Sequence, residues 1–438
     1  MKLISFSETI YASFRKSAGA HHCVMEAHRD YVITAHQAQT LLKDHEPIRQ
    51  RLFKFSELNP RLTSFNVGAR RAGTQRILLY NGSGGYGDQI ITWPLAKILS
   101  EIGFDVHVLA DPGNLVCWSN FPFIKATLTL PIPYEVLKLY DYHLLYDYVV
   151  NADEHPSQQH PLDTMLNQIG IPPQSVKPEQ KVVAPIFTVS EMRAMMGAFS
   201  DKTIAIYQLS AALGVRSLVP DESAALLGSL ATAYPDWHWL AIHDDFIPKD
   251  YVEKTTALRL GNVQTVNQQI LRELWALTKR AAIVIAPDSM MVHVAGSMGV
   301  PCVGLWGPVD PGLRVNYYKG HVPIFKKEAC AYAPCHTCNG EWPRYCPKRE
   351  SRKQCDVISA ITHQDVIDAI VKATGTKPSA TPVRVPVIEA PKDEPVVVTK
   401  PAEAASMTAT VVSTPEEQAE LAPATGLSWS GKKVDSPL

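Results

Sequence analysis

The sequence predicts an α/β protein made of two Rossmann-like, doubly wound domains that face each other across a cleft. Apolar runs of strand length alternate with amphipathic stretches of helix length, once before residue 150 and again after residue 200. In each half a buried strand runs into a turn of small or capping residues that opens a helix. The chain's 438 residues, 46% hydrophobic and 19% charged, suit two packed domains with further segments.

Taken in order, residues 1–74 form an N-terminal extension that is expected to be partly helical, for example from Ala35 to Phe55. It holds eleven Lys/Arg against six Asp/Glu, a basic flank that is either simply solvated or a docking surface for an acidic acceptor or membrane. Residues 75–187 make the first α/β domain, with strands at Arg76–Tyr80 and Asp105–Ala110 around a helix from Gln89 to Ile102. A bridge runs roughly from Gly170 to Ser200 and opens with Ile171-Pro172-Pro173. Residues 200–375 make the second domain, with strands at Thr203–Tyr207, Trp237–Ile242 and Ala282–Ala286 and helices over Glu222–Tyr234 and Gln268–Arg280. From about Thr376 the chain turns to short unpatterned runs of Pro, Ala, Val, Thr and Glu, so residues 376–438 are expected to be a disordered, low-complexity tail.

A formal net charge of -1 gives no global field toward nucleic acid or an anionic membrane, and any electrostatic partnership is local. The start has no apolar core of signal-peptide length and no window approaches a spanning helix, which predicts a cytoplasmic protein with peripheral membrane contact at most.

Gly82-Ser83-Gly84-Gly85-Tyr86-Gly87 fits G-x-G-x-x-G between a strand and a helix, with Asp111 closing the next strand near where a ribose-binding acid falls in dinucleotide enzymes. Asp88 opposes that reading, because it places a carboxylate where a pyrophosphate would sit, and Pro94 lies early in the helix. A carboxylate there suits a base: the helix N-terminus is expected to keep Asp88 ionised so that it accepts a proton from a hydroxyl in the cleft. A plain helix cap is the alternative. In the second half, Ala286-Pro287-Asp288-Ser289-Met290-Met291-Val292-His293 leaves a buried strand for a helix, with Asp288 and Ser289 as N-cap residues by type. Such a mouth offers free N–H groups to an anion and meets the charge of a leaving diphosphate without a metal. The turn Gly307-Pro308-Val309-Asp310-Pro311 supplies a second wall, and His293 is either a packed core residue or a cleft residue.

Together these pieces resemble glycosyltransferase family 9, the ADP-heptose:lipopolysaccharide heptosyltransferases, over about residues 75–375. Gly84-Gly85-Tyr86-Gly87-Asp88 through Pro94 resembles the family's G-x-x-G-D-x-x-x-x-x-P. Asp288-Ser289 through His293, Gly299 and Pro301 is similar to D-S/T-G-x-x-H-x-x-x-x-x-G-x-P, and Gly307 to Pro311 to G-P-T-D-P. Leu271 to Leu277 resembles the family's lead-in. Cys335-His336-Thr337-Cys338, Cys346-Pro347 and Cys355 are similar to its C-terminal cysteine pattern. The resemblance implies a GT-B fold, inverting transfer from a nucleotide sugar and no catalytic metal. It further implies Asp88 as general base, with Gly84, Gly85 and Gly87 in the acceptor-side loop and Asp288, Ser289, Met290, His293, Gly307 and Asp310 around the donor. A basic residue after the second domain's first strand holds phosphate in the family, and Arg216 is the candidate. An acid after Trp237–Ile242 holds ribose there, either Asp244 or Asp245. Two departures bear on the donor: Met290 replaces the glycine after D-S/T, and Val309 replaces the threonine of the turn.

The sequence lacks a D-x-D at a strand end, which agrees with metal independence. Cys335, Cys338, Cys346 and Cys355 would suit a structural zinc, with reduced packed thiols or a disulfide formed only after oxidation as the other readings.

The expected function is heptose-like sugar transfer from an ADP-heptose-like donor to a glycan or glycolipid hydroxyl, in lipopolysaccharide biosynthesis, with no cofactor required for catalysis. A nicotinamide oxidoreductase or nucleotide-sugar epimerase is a second reading, and a non-catalytic nucleotide-sugar-binding protein, suggested by Met290, a third.

Overall fold

The computed structural model describes residues 2–16, 19–34, 37–39, 41, 52–57, 73, 75–82, 85–146, 159–244, 247–267, 271–335, 355–379 and 409–411. The N-terminal extension is built on strands: β1 (Lys2–Phe6), β2 (Ile10–Lys16), β3 (Gly19–Met25), β4 (Tyr31–Ile33) and β5 (Leu52–Glu57). Helix is confined among its described residues to 37–39 and 41, so the helix expected over Ala35–Phe55 is corrected at its far end. There β5 pairs antiparallel with β1, a non-local partner that a short apolar run does not reveal.

The first α/β domain follows, with β6 (Gln75–Asn81), α1 (Tyr86–Glu101), β7 (Phe104–Ala110), β8 (Ile124–Thr129), β9 (Ile132–Pro133), β10 (Tyr142–Tyr146) and α2 (Pro161–Gln168). Its parallel sheet has the order β10-β6-β7-β8. Short β9 leaves this sheet and pairs with β4, so the extension's sheet, β5-β1-β4-β9, is stitched to the domain.

Two 3-10 turns and α3 (Val189–Phe199) form the bridge. The second domain runs through β11 (Thr203–Gln208), α4 (Pro220–Ala233), β12 (Trp237–His243), α5 (Lys249–Ala257), β13 (Val263–Asn267) and α6 (Leu271–Thr278). It closes with β14 (Ile283–Pro287), α7 (Met290–Met298), β15 (Cys302–Trp306), β16 (His321–Phe325) and α8 (His363–Thr374). Six parallel strands lie in the order β13-β12-β11-β14-β15-β16, the doubly wound arrangement the alternation predicts. One short strand from the tail, β17 (Ala409–Val411), pairs with β2, which corrects the expectation of a structureless tail at those residues.

The two domains share one apolar core. It joins Ile77, Leu79, Trp93 and Val106 of the first to Trp275, Met291, Val294 and Trp306 of the second. At its centre the rings of Trp93 on α1 and Trp275 on α6 meet edge to face, centroids 5.9 Å apart, and Phe121 packs on Trp93 at 4.9 Å. Arg272 adds a polar tie: its guanidinium bonds Glu191 at 2.9 Å on α3 and reaches the Ile186 carbonyl, so the bridge is anchored to α6. Trp275 is fully buried. Trp275→Ala is expected to cost about 3–5 kcal/mol of stability, read as a lowered urea midpoint; a midpoint unchanged within error would show that the shared core does not hold the domains.

Candidate functional site

In the second domain the strand order reverses between β11 and β14, the point at whose carboxyl strand ends doubly wound sheets take their ligands. Gln208 ends β11, and Ser289 stands at the N-cap of α7 just beyond β14. The cap is positional only. The Ser289 hydroxyl does not bond the helix's own N–H groups and donates instead to the Gln208 amide oxygen. A helix mouth left uncapped by its own N-cap side chain suits an anion. Below it, Asp288 is buried and pairs with Arg216, whose Nη1 lies 3.3 Å from Oδ2 and donates to the Asp288 carbonyl at 3.4 Å.

The first domain presents the matching half. Its own reversal lies between β6 and β10, and β6 ends at Asn81 just ahead of the glycine turn. Gly85 is the N-cap of α1 and Asp88 stands in the first turn. A buried network fixes the Asp88 backbone: its carbonyl accepts from the Asn81 amide at 3.2 Å and the Thr92 hydroxyl at 2.9 Å. Gln89 donates to the Asn81 carbonyl at 3.0 Å and accepts from the Trp118 indole at 3.0 Å. The carboxylate folds back over the turn, since a Cβ on Gly85 would lie 3.0 Å from Asp88 Oδ2. Burial raises the Asp88 pKa, opposed by Arg314 and Arg216 and reinforced by Asp288. Desolvation is the largest cause of that shift.

The two halves touch where α1 meets α7. A Cβ on Gly87 would sit 2.8 Å from the His293 ring, so this glycine is required for the close approach. His293 is buried there, its Nδ1 3.2 Å from the Tyr318 hydroxyl. Burial, with His160, Arg314, His321 and Arg216 nearby, lowers its pKa to about 3, so the ring is neutral. It is therefore a packed residue at the contact between the two domains. Arg314, on the chain leaving β15, is buried facing Asp88, Asp288, Asp310 and Arg216, and its carbonyl lies 3.1 Å from His160 Nε2 of the first domain.

The glycosyltransferase family 9 (heptosyltransferase) model matches residues 253–339, the stretch that holds Asp288, Ser289, His293 and Arg314. The fold is similar to that of ADP-heptose lipopolysaccharide heptosyltransferase II from E. coli, with 13% identity and a TM-score of 0.50 over 68% of this chain and 98% of that one. It is also similar to a family 9 glycosyltransferase from Veillonella parvula, with 12% identity and a TM-score of 0.51 over 72% and 99%. At these identities the likeness is one of fold. No curated protein sequence matches the chain. Over residues 253–339 the chain is thus similar to the family 9 glycosyltransferases, and its fold is like that of the heptosyltransferases.

Other residues singled out from the sequence have more local tasks. One Asp310 oxygen accepts from Gly312 N–H at 2.8 Å, so it shapes the turn that carries Arg314. A Cβ on Gly307 would lie 3.2 Å from the Val215 carbonyl and 3.3 Å from Cys355 Sγ, so this glycine lets the chain pass the turn that bears Arg216. Met290 is buried in the first turn of α7. Asp244 accepts from Ile247 N–H at 3.1 Å beyond β12. Gly84, Asp245, Cys338 and Cys346 lie outside the described residues. Cys355 is buried and Cys335 partly so, and among the described residues no group of three His, Cys, Asp or Glu side chains is arranged to hold a metal. Arg314 and His160 were missed by sequence reasoning; the only signal was an arginine just after the Asp310-Pro311 turn.

Two tests follow from this geometry. His160, beside Asp163, Arg314, Lys181 and Tyr317, is pushed by burial to about 4, and His293 to about 3, from an ordinary 6.5. Both pKa values are depressed, so their stabilisation is complete above about pH 6.5 and is lost as pH falls toward 4, by up to about 1.4 kcal/mol per pH unit for each histidine. The raised Asp88 pKa acts in the opposite sense. Urea titrations from pH 7.5 to 4.5 should show the decline, and one that His293→Asn leaves as steep would contradict this assignment. Gly87→Ala should force α1 from α7 and lower turnover while the chain still unfolds cooperatively; full turnover would show that the approach is dispensable.

Proposed function

We propose that this chain moves a heptose-like sugar from a nucleoside-diphosphate sugar to an acceptor hydroxyl, by a single inverting displacement and without a catalytic metal. The observation that carries this reading is the apposition across the α1–α7 contact of a half-buried carboxylate, Asp88, and a cationic helix mouth, Arg216 with Ser289 and α7. Asp88 accepts the proton of the acceptor hydroxyl, and the acceptor oxygen bonds to the anomeric carbon from the face opposite the diphosphate. The bond from that carbon to the phosphate oxygen breaks, and its electron pair leaves with the diphosphate. Burial makes Asp88 a stronger base than a free carboxylate. The free N–H groups of α7 and the Arg216 guanidinium meet the developing negative charge, the task a bound cation performs elsewhere.

In this reading residues 75–187 bind the acceptor and residues 200–375 the donor, with Asp244 or Asp245 toward the ribose. The donor is ADP-heptose-like and the acceptor a glycan or glycolipid of lipopolysaccharide biosynthesis, which places the reaction in the cytoplasm. No helix among the described residues is long and apolar enough to cross a membrane. A nicotinamide dinucleotide fits poorly, because Asp88 lays its carboxylate over Gly85, in the turn where a pyrophosphate would need backbone N–H groups.

The test is nucleoside diphosphate release from a panel of sugar donors, ADP-heptose included, with a lipopolysaccharide-core acceptor. Asp88→Asn is expected to lower kcat by about 10²–10⁴-fold and leave donor binding within a few-fold, with wild-type turnover unaffected by EDTA. The acid limb of the wild-type kcat/KM profile should lie above the ordinary carboxylate range, since activity is lost as pH falls through the raised Asp88 pKa. Undiminished turnover by Asp88→Asn, or binding of NAD(H) and of no nucleotide sugar, would overturn the proposal.

A further inference from the structure

Buried arginines are rare without a carboxylate partner, because a desolvated guanidinium with unused donors is costly. Arg314 is such a residue. It is only 7% exposed, yet its one side-chain hydrogen bond among the described residues runs from Nη1 to the neighbouring Leu313 carbonyl at 3.1 Å. Arg216, by contrast, already has Asp288 at 3.3 Å. Arg314 lies within electrostatic range of Asp88, Asp288 and Arg216 without forming an ion pair among the described residues, so most of its five donors are left for a ligand.

The segment carrying Arg314 is gripped from outside its own domain. His160, at the start of α2 in the first domain, accepts from Leu162 N–H on Nδ1 at 3.2 Å, which leaves Nε2 to carry the hydrogen and donate to the Arg314 carbonyl at 3.1 Å. Three residues further on, the Tyr317 hydroxyl donates to Asp163 of α2. Lys181 of the bridge bonds both groups, at 2.8 Å to Asp163 and 2.9 Å to Tyr317, with its ammonium 4.4 Å from the Tyr317 ring centroid. The Tyr318 hydroxyl meets His293. The first domain and the bridge thus hold in place a cation that belongs to the second.

We propose that Arg314 is a second ligand of the donor's diphosphate and that His160 is its positioning residue, so that the anion site is complete only while α2 is docked on the Arg314 segment. The inference rests on the donor reading of the α7 mouth. It adds to that reading a cation from a different strand exit and a dependence on the opposite domain. With Arg216 occupied by Asp288, the diphosphate would meet Arg314 as the cation whose donors are free.

Calorimetric titration of the full chain with ADP, GDP and UDP, and with adenosine as a phosphate-free control, tests this. For the nucleoside diphosphate that binds, Arg314→Gln should weaken affinity by roughly ten- to a hundredfold, with Arg314→Lys recovering part of the loss and adenosine unaffected. Thermal unfolding of each variant without ligand separates misfolding from lost contact. His160→Ala should weaken the same diphosphate several-fold, and His160→Gln, which keeps a donor for the Arg314 carbonyl, should restore it. In the Arg314→Gln background, His160→Ala should cost nothing further, because it acts through Arg314. Additive losses would overturn the positioning role, and a wild-type affinity unchanged by Arg314→Gln would overturn the ligand role while leaving the donor reading intact. If the wild type binds none of the three diphosphates, the donor reading falls and this inference falls with it.

Discussion

Everything at the candidate site depends on one close approach, the meeting of α1 and α7 at Gly87 and His293. Two separate sheets each place their candidate residues at the carboxyl ends of their strands, and the proposed reaction needs both sets. The contact holds only because residue 87 has no side chain, and because the apolar core behind it, centred on Trp93 and Trp275, runs from one domain into the other. Interiors are packed at crystal-like density, so a shift of a few tenths of an ångström at this contact is passed on to the groups around it. The geometry between Asp88 and the α7 mouth is therefore set by packing well away from either.

That packing also decides the electrostatics. Asp88, Asp288, Arg216 and Arg314 lie near one another with little water, and two neutral histidines, His160 and His293, fill space that charged groups would make unfavourable. Both histidines are pushed down by the same desolvation that pushes Asp88 up. The result is one desolvated neighbourhood in which the Asp88 pKa is raised and that of Arg314 lowered. In the proposed reaction, this puts the base beside the arginines assigned to the diphosphate.

The alternation of strands and helices was legible because it is local. The strand expected at Trp237–Ile242 ends one residue later, and the helix expected from Glu222 starts at Pro220, an N-terminal position that suits proline. The placement of Asp88, Arg216, Asp288 and Ser289 was legible because each follows a strand, in or beside a turn of small and capping residues, and His293 follows on the helix that one of these turns opens. Arg314 and His160 were not, because their roles arise from burial against each other across 154 residues of sequence. The same non-locality hid the extension, where Leu52–Glu57 is apolar enough for either element and becomes a strand only through its pairing with β1.

The extension's attachment suggests why it is part of this chain. A doubly wound domain covers both faces of its sheet, one here with α1 and the shared core. Against the other face lie Leu78, Tyr80 and Leu109, and among the side chains that bury them are Val32 of the extension and Leu130, Ile132 and Leu137 beyond β8. The extension is bonded to that stretch by the β4–β9 pairing and by Gln37, whose buried amide donates to the Leu130 carbonyl at 3.3 Å. Leu130 N–H in turn bonds the Ala110 carbonyl, the last of β7, so the tie reaches the carboxyl end of the sheet, the end at which Asp88 stands. An added module fastened at that end by an apolar face covers the first domain's sheet, the half assigned to the acceptor in the proposed reaction, and it can do so without contributing a residue to the chemistry.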